Sequence, residues 1–161
     1  MRILGVDPGT ATTGFGVIDH VHGQIKFVDA GVIITPPNQP MPQRLVTLHE
    51  ELAQVIAETK PEQAAVELLY FSTNVTTAIS VGQARGVILL TLAEAGLWPA
   101  EYTPMQIKQA VTGYGGAKKP QIQEMVRVLL GLPTIPRPDD AADGLAIAIT
   151  HANQARSPVT S

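Results

Sequence analysis

Apolar positions change period several times along the chain, and each change marks an element. Residues 2–7 (RILGVD) form a short apolar run closed by Asp-Pro-Gly, the pattern of a buried strand entering a turn. Residues 14–20 (GFGVIDH) and 24–34 (QIKFVDAGVII) read as two more strands, with His22 and Gly23 at the turn between them. Three strands joined by tight turns predict an antiparallel meander. Residues 43–59 switch to a helical period that puts Leu45, Leu48, Leu52, Val55 and Ile56 on one face. A short strand over 63–67 (QAAVE) ends in an acid, a long helix with a broad apolar surface covers 74–95, and 98–102 (WPAEY) reads as a fifth strand. Short helices follow near 104–111 and 120–130, separated by GYGGAKK (113–119), which has the composition of a mobile loop. A last helix runs from about Asp139 to His151. A meander followed by alternating strands and helices predicts an α/β fold. Its five-stranded mixed sheet is flanked by helices, with strands one, four and five parallel.

Composition narrows the chemistry. The length of 161 residues suits one domain, expected over 1–155, with a polar tail at 156–161. Hydrophobic residues at 45% and charged residues at 16% argue for a packed core and against disorder. With no cysteine, disulfides and thiolate metal sites are excluded, which leaves oxygen ligands or the four histidines. The longest apolar stretch, near Val87 to Ala95, is interrupted by Thr91 and Glu94 and is too short to span a membrane. The apolar run at the N-terminus meets Asp7 and Pro8 too soon for a signal peptide, so a soluble cytoplasmic protein is expected. The net charge of −3 runs against a nucleic-acid partner. Its distribution softens that objection: Arg85 to Arg127 carries +2, and the remainder −5.

Four acids concentrate the remaining interest. Asp7 ends the first strand and Glu67 the fourth, and sites in open α/β sheets gather at the carboxyl ends of parallel strands. Neighbouring strands would set these two side by side. Asp140 and Asp143 stand three apart, on one face of the first turn of the last helix. Each has a plainer reading: Asp7 as a turn former, Asp139 and Asp140 as helix caps. Glu67 and Asp143 resist it, because both lie in apolar runs and Glu67 has no Lys or Arg close by in sequence. Two like charges 4 Å apart repel by roughly 4 kcal/mol at an effective dielectric of 20. Converging carboxylates therefore call for a cation, a shared proton, or both. An all-oxygen site suits Mg2+ or Mn2+, and two such ions together can drive phosphodiester hydrolysis. The histidines are expected outside the site: His20 and His22 in a turn, His49 on the polar side of its helix, and His151 at a helix end where a cation suits the dipole.

Several segments then form a pattern. Ile3-Leu4-Gly5-Val6-Asp7-Pro8-Gly9-Thr10, Thr13 to Ile18, Ala65-Val66-Glu67, Val81-Gly82-Gln83-Ala84-Arg85-Gly86 and Asp140 to His151 resemble, in order, the RuvC family of bacterial Holliday junction resolvases. The resemblance covers essentially the whole chain. It implies a ribonuclease-H-like fold, a homodimer, and paired symmetric nicks in a four-way DNA junction during recombination and repair. It maps the family's catalytic acids onto Asp7, Glu67, Asp140 and Asp143, with Mg2+ or Mn2+, two per site. It also implies a partnership with the RuvA-RuvB branch-migration helicase. A family aromatic near the crossover falls at Tyr70, beside Phe71, and aromatics stack on unpaired bases for about 1–3 kcal/mol each. Lys108 and Lys119, with Lys118 adjacent, resemble DNA contacts. Gly82 and Gly86, four apart in the long helix, fall where the family dimerises; packing against the sheet is the plainer alternative. Two departures stand out. Thr73 occupies a place where some members are basic, and the tail after His151 holds only Arg156. Both weaken the expected grip on DNA and leave the acids untouched.

Three other readings use the same residues. An actin-like or sugar-kinase-like ATPase shares an Asp-x-Gly-Thr hairpin, but needs two lobes and leaves Asp140 and Asp143 unexplained. A non-catalytic junction binder gains nothing from four repelling charges. A nuclease of the same fold with another nucleic-acid substrate differs chiefly in the Val81 to Gly86 segment and in length.

Overall fold

A computed structural model describes residues 1–68 and 75–154. The elements run β1 (Arg2–Asp7), β2 (Thr12–Val21), β3 (Gln24–Ile34), α1 (Met41–Thr59), β4 (Gln63–Glu67), α2 (Val75–Glu94), β5 (Ala100–Tyr102), α3 (Pro104–Thr112), α4 (Lys119–Leu130) and α5 (Asp139–Gln154). The strands make one sheet in the order β3-β2-β1-β4-β5. β1, β2 and β3 pair antiparallel, while β4 pairs parallel with β1 and β5 parallel with β4. This is the mixed sheet the sequence predicts. Boundaries shift where local chemistry decides. β5 begins at Ala100, because Trp98 is 82% exposed and Pro99 has no N–H for a ladder. α5 continues three residues past His151. The GYGGAKK stretch is pinned at both ends: Gly113 closes α3 in the left-handed region, Ala117 is buried, and Lys119 already belongs to α4.

The alternation of β1 divides the core into two layers. Leu4 and Val6 face Leu48 and Leu52 of α1 and Ile88 and Leu92 of α2. Ile3 faces the other way, with Ala65 and Ile18, onto α3, α4 and α5. Asp7 is in phase with Ile3, and Glu67 with Ala65, so both acids project on the α5 side.

α5 lies unusually close to that side. β1 and β2 are registered so that Gly5 stands opposite Gly16 and Asp7 opposite Gly14. A Cβ at Gly14 would fall 1.8 Å from the carbonyl oxygen of Asp140, and one at Gly16 would fall 2.4 Å from the nitrogen of Leu145. The seam is reciprocal, since a Cβ at Gly144 would come within 2.5 Å of the Phe15 carbonyl carbon. Backbone therefore rides on backbone, and Leu145, Ile147, Ala148 and Ile149 are all but fully buried around the contact.

The seam is open to a direct check. Gly14→Ala must displace α5, and overpacking of this kind costs about 1–3 kcal/mol. Urea unfolding should show a loss in that range. A loss below about 0.5 kcal/mol, the scatter of surface substitutions, would mean that the contact yields freely.

Candidate active site

Parallel pairing of β1 with β4 runs Ile3 against Gln63 through Val6 against Val66, which leaves Asp7 and Glu67 adjacent at the two strand ends. The glycine seam brings α5 down over them. One carboxylate oxygen from each of Asp7, Asp140 and Asp143 lies within 4.8 Å of the other two. Glu67 does not join this three-oxygen group and stands beside Asp7 at the end of the neighbouring strand. Asp140 sits in the first turn of α5, whereas Asp143, expected there too, belongs to the second, because the helix begins at Asp139. All four acids are half-buried.

The loop after Asp7 is fixed from below. Arg44 of α1, buried, donates through Nη2 to the Thr10 carbonyl at 2.9 Å and through Nε to Thr35 Oγ1 at 3.2 Å. Thr35 Oγ1 also donates to the Thr10 carbonyl, at 3.0 Å. Ser80 of α2 approaches Thr10, hydroxyl to hydroxyl, at 3.1 Å.

Electrostatics follow from the crowding. Burial, then the hydrogen bond and charge of Glu67, then the charges of Asp143 and Asp140, push the Asp7 carboxyl up to about 10. At neutral pH the protein's own groups thus favour the protonated form of Asp7. Burial also raises Asp143, against the pull of Lys119, whose Nζ lies 3.6 Å from Asp143 Oδ2. Three hard oxygen donors in mutual repulsion, with a single lysine as counter-charge among the contacts described, fit a divalent cation.

Beside the acids a cleft of about 310 Å3 is lined by Glu67, Asp143, Lys108, Lys118 and Lys119. Three basic positions named from the sequence therefore share a wall with two of the acids. Tyr70, with Phe71 and Thr73, lies outside the described residues, as do Arg156 and the tail. Among the described residues, a Cβ at Gly82 or Gly86 would find no atom within 4 Å. Packing of these two glycines against the sheet is thereby overturned.

Two histidine expectations need correction. His49 is half-buried, with Nδ1 2.8 Å from Thr91 Oγ1. His151 is held at both ring nitrogens, Nδ1 2.7 Å from the Tyr102 hydroxyl and Nε2 2.6 Å from Gln63 Oε1. Burial lowers its pKa, so it is a neutral hydrogen-bonding link and no dipole-capping cation. Sequence reading missed Arg44, the Gly14–Gly144 seam and Arg85, whose guanidinium reaches the Glu67 carbonyl from α2. The seam left a trace, in glycines at 5, 14 and 16 inside strand-like runs. Arg44 left none, and Arg85 stood in the Val81 to Gly86 segment without its role showing, since only the fold brings either near.

Five strands in this order, flanked by helices and carrying clustered carboxylates at the strand ends, define a nuclease of the ribonuclease-H-like class. The family model for "Crossover junction endodeoxyribonuclease RuvC" matches residues 3–151. The curated protein of that name from Chloroflexus aurantiacus is 57% identical over 152 residues, covering 94% of this chain and 93% of the relative. That from Desulfitobacterium hafniense is 57% identical over 153 residues, covering 95% and 93%. The Thermus thermophilus RuvC structure superposes with a TM-score of 0.89 at 38% identity, covering 97% of this chain and 96% of that one. The same protein in complex with Holliday junction substrate gives 0.88 at 36%, with the same coverage. The chain belongs to the RuvC family of crossover junction endodeoxyribonucleases.

The Asp7 shift has a definite pH signature. Its folded value lies above its unfolded value near 3.8, so from about pH 4 to pH 10 the folded state holds a proton that the unfolded state lacks. That contribution to stability is complete below pH 4 and is lost as pH rises toward 10. In chelator, the melting temperature of the wild type should fall from pH 5 to pH 9 more steeply than that of Asp7→Asn, which stays neutral. Equal slopes would contradict the crowding.

Proposed function

We propose that this protein resolves four-way DNA junctions by paired symmetric nicks, with Mg2+ or Mn2+ as cofactor and two ions per site. The observation that carries the reading is the convergence of Asp7, Asp140 and Asp143, whose carboxylate oxygens lie within 4.8 Å of one another. Asp7, Asp140 and Asp143 hold the cation, and Glu67 completes the donor set from beside Asp7. When bound, Mg2+ or Mn2+ activates water for attack at phosphorus and stabilises the leaving oxygen. Lys108, Lys118 and Lys119 line the cleft beside the acids and place the scissile strand through its phosphates. Tyr70, three residues beyond Glu67, stacks on a base at the crossover.

The homodimer forms along α2. Ala84, Ile88 and Leu92 of this helix are buried, while Ile79 and Leu90 on its outer face are 58% and 57% exposed. Gly82 and Gly86 fall between these two, and among the described residues their surroundings are open. Two-fold pairing there sets two acid clusters against two strands of a symmetric substrate. We place the activity in recombination and DNA repair, in the cytoplasm, in partnership with the RuvA-RuvB branch-migration helicase. No helix among the described residues is long and apolar enough to cross a membrane.

The test is cleavage of a labelled mobile four-way junction, with and without Mg2+ or Mn2+, beside matched linear duplex. Metal-dependent symmetric nicks in the junction alone are expected, and equal cutting of duplex would refute junction selectivity. Asp7→Asn should slow cleavage about a thousandfold, equivalent to roughly 4 kcal/mol of transition-state stabilisation, while junction binding persists. Loss of binding together with cleavage would remove Asp7 from the cation site. Gly86→Arg should convert the dimer to a folded monomer in sedimentation experiments; an unchanged dimer would move the interface off α2.

A further inference from the structure

Glu67 is the last residue of β4, and its carboxylate is aimed only as well as the main chain that carries it. Two hydrogen bonds fix that main chain. The Leu68 nitrogen donates to the Tyr102 carbonyl of β5 at 2.8 Å. The Glu67 carbonyl accepts from Nη1 of Arg85, on α2. The other arm of the same guanidinium, Nη2, donates to Glu101 Oε1 of β5. One planar fork thus ties the end of β4 to β5. A lysine ammonium, whose three donors share one nitrogen on a flexible stem, lacks the planar two-nitrogen fork that spans both acceptors.

Docking of α2 onto the sheet does not require this arginine. Ala84, Ile88 and Leu92 already fasten the helix, each no more than 3% exposed. The ion pair with Glu101, whose side chain is 42% exposed, adds little stability of its own. What Arg85 does specifically is orient the peptide plane of Glu67. Its side chain is only 14% exposed, so the contact is shielded and not readily exchanged for water.

We infer that Arg85 is a positioning residue for Glu67: its fork on the Glu67 carbonyl and the Glu101 carboxylate sets the direction from which Glu67 reaches the cation site beside Asp7. The inference rests on the reading of Glu67 as part of that site.

The test is Mn2+ binding to the whole protein without DNA, followed by titration calorimetry, for wild type, Arg85→Lys, Glu101→Gln, Glu67→Gln and the Arg85→Lys/Glu67→Gln double variant. Thermal melting of each is recorded alongside. Arg85→Lys should raise the half-saturating Mn2+ concentration about tenfold, the usual effect of losing a group that orients a ligand. Glu101→Gln, a surface change that leaves the fold intact, should shift the curve the same way by a smaller factor. In the Glu67→Gln background, Arg85→Lys should add nothing, because the group it aims is gone. Lower melting temperatures with unmoved Mn2+ curves would assign Arg85 to the scaffold and overturn the inference. So would a Glu101→Gln curve identical to wild type, should Arg85→Lys fail to fold. If Glu67→Gln alone leaves Mn2+ binding unchanged, the fault lies one step earlier, in the reading of Glu67 itself.

Discussion

The backbone of α5 lies directly on the backbones of β1 and β2, and the meeting of the α5 acids with Asp7 depends on that contact. Aspartate is short. Asp7 at the end of β1 meets Asp140 and Asp143 only because no side chain separates the helix from the strands at Gly14, Gly16 and Gly144. Each of these glycines weakens its own element in isolation, by roughly 0.5–1 kcal/mol relative to alanine. Burial of the apolar run from Leu145 to Ile149 offsets that, at about 25 cal/mol for each Å2 of apolar surface removed from water. The site is thus positioned by the most buried helix of the molecule rather than by loops, which suits chemistry that tolerates little misplacement.

The same contact forces like charges together. A fold selected for stability alone would separate these carboxylates. Here burial and three neighbouring acids hold the Asp7 carboxyl well above the usual carboxylate range, and Lys119 offsets only part of the charge on Asp143. Such unrelieved repulsion marks a site that gives up stability for function, and a divalent cation would relieve it. The strand ends that present Asp7 and Glu67 are tied down by groups from α1 and α2: Arg44 and Ser80 at the loop after Asp7, Arg85 at Glu67. α2, the helix that carries the proposed dimer face, thereby touches both halves of the site.

Much of this was legible in the chain, for particular reasons. The apolar run of β1 and the helical period of α1 survive folding because one is buried and the other amphipathic in its own right. The acids stood out because Glu67 and Asp143 interrupt apolar runs, where a carboxylate has no ordinary use. What escaped was long-range. Gly14 and Asp140 lie 126 residues apart, and nothing local shows that they touch. Arg85 is 18 residues from Glu67, and nothing local shows that its guanidinium reaches the Glu67 carbonyl once α2 folds back. His151 was misread for the same reason. Its partners, Tyr102 and Gln63, come from β5 and β4, and burial between them reverses the charge expected from its place near a helix end.

The most direct test of the central claim is anomalous diffraction from crystals of the wild-type protein soaked in Mn2+. The expected result is a peak bounded by Asp7, Asp140 and Asp143, close enough to each for oxygen coordination. A fully occupied peak held by other residues, or none at Mn2+ concentrations that support cleavage, would show that the acid cluster is not the cation site and would leave its crowding without a function.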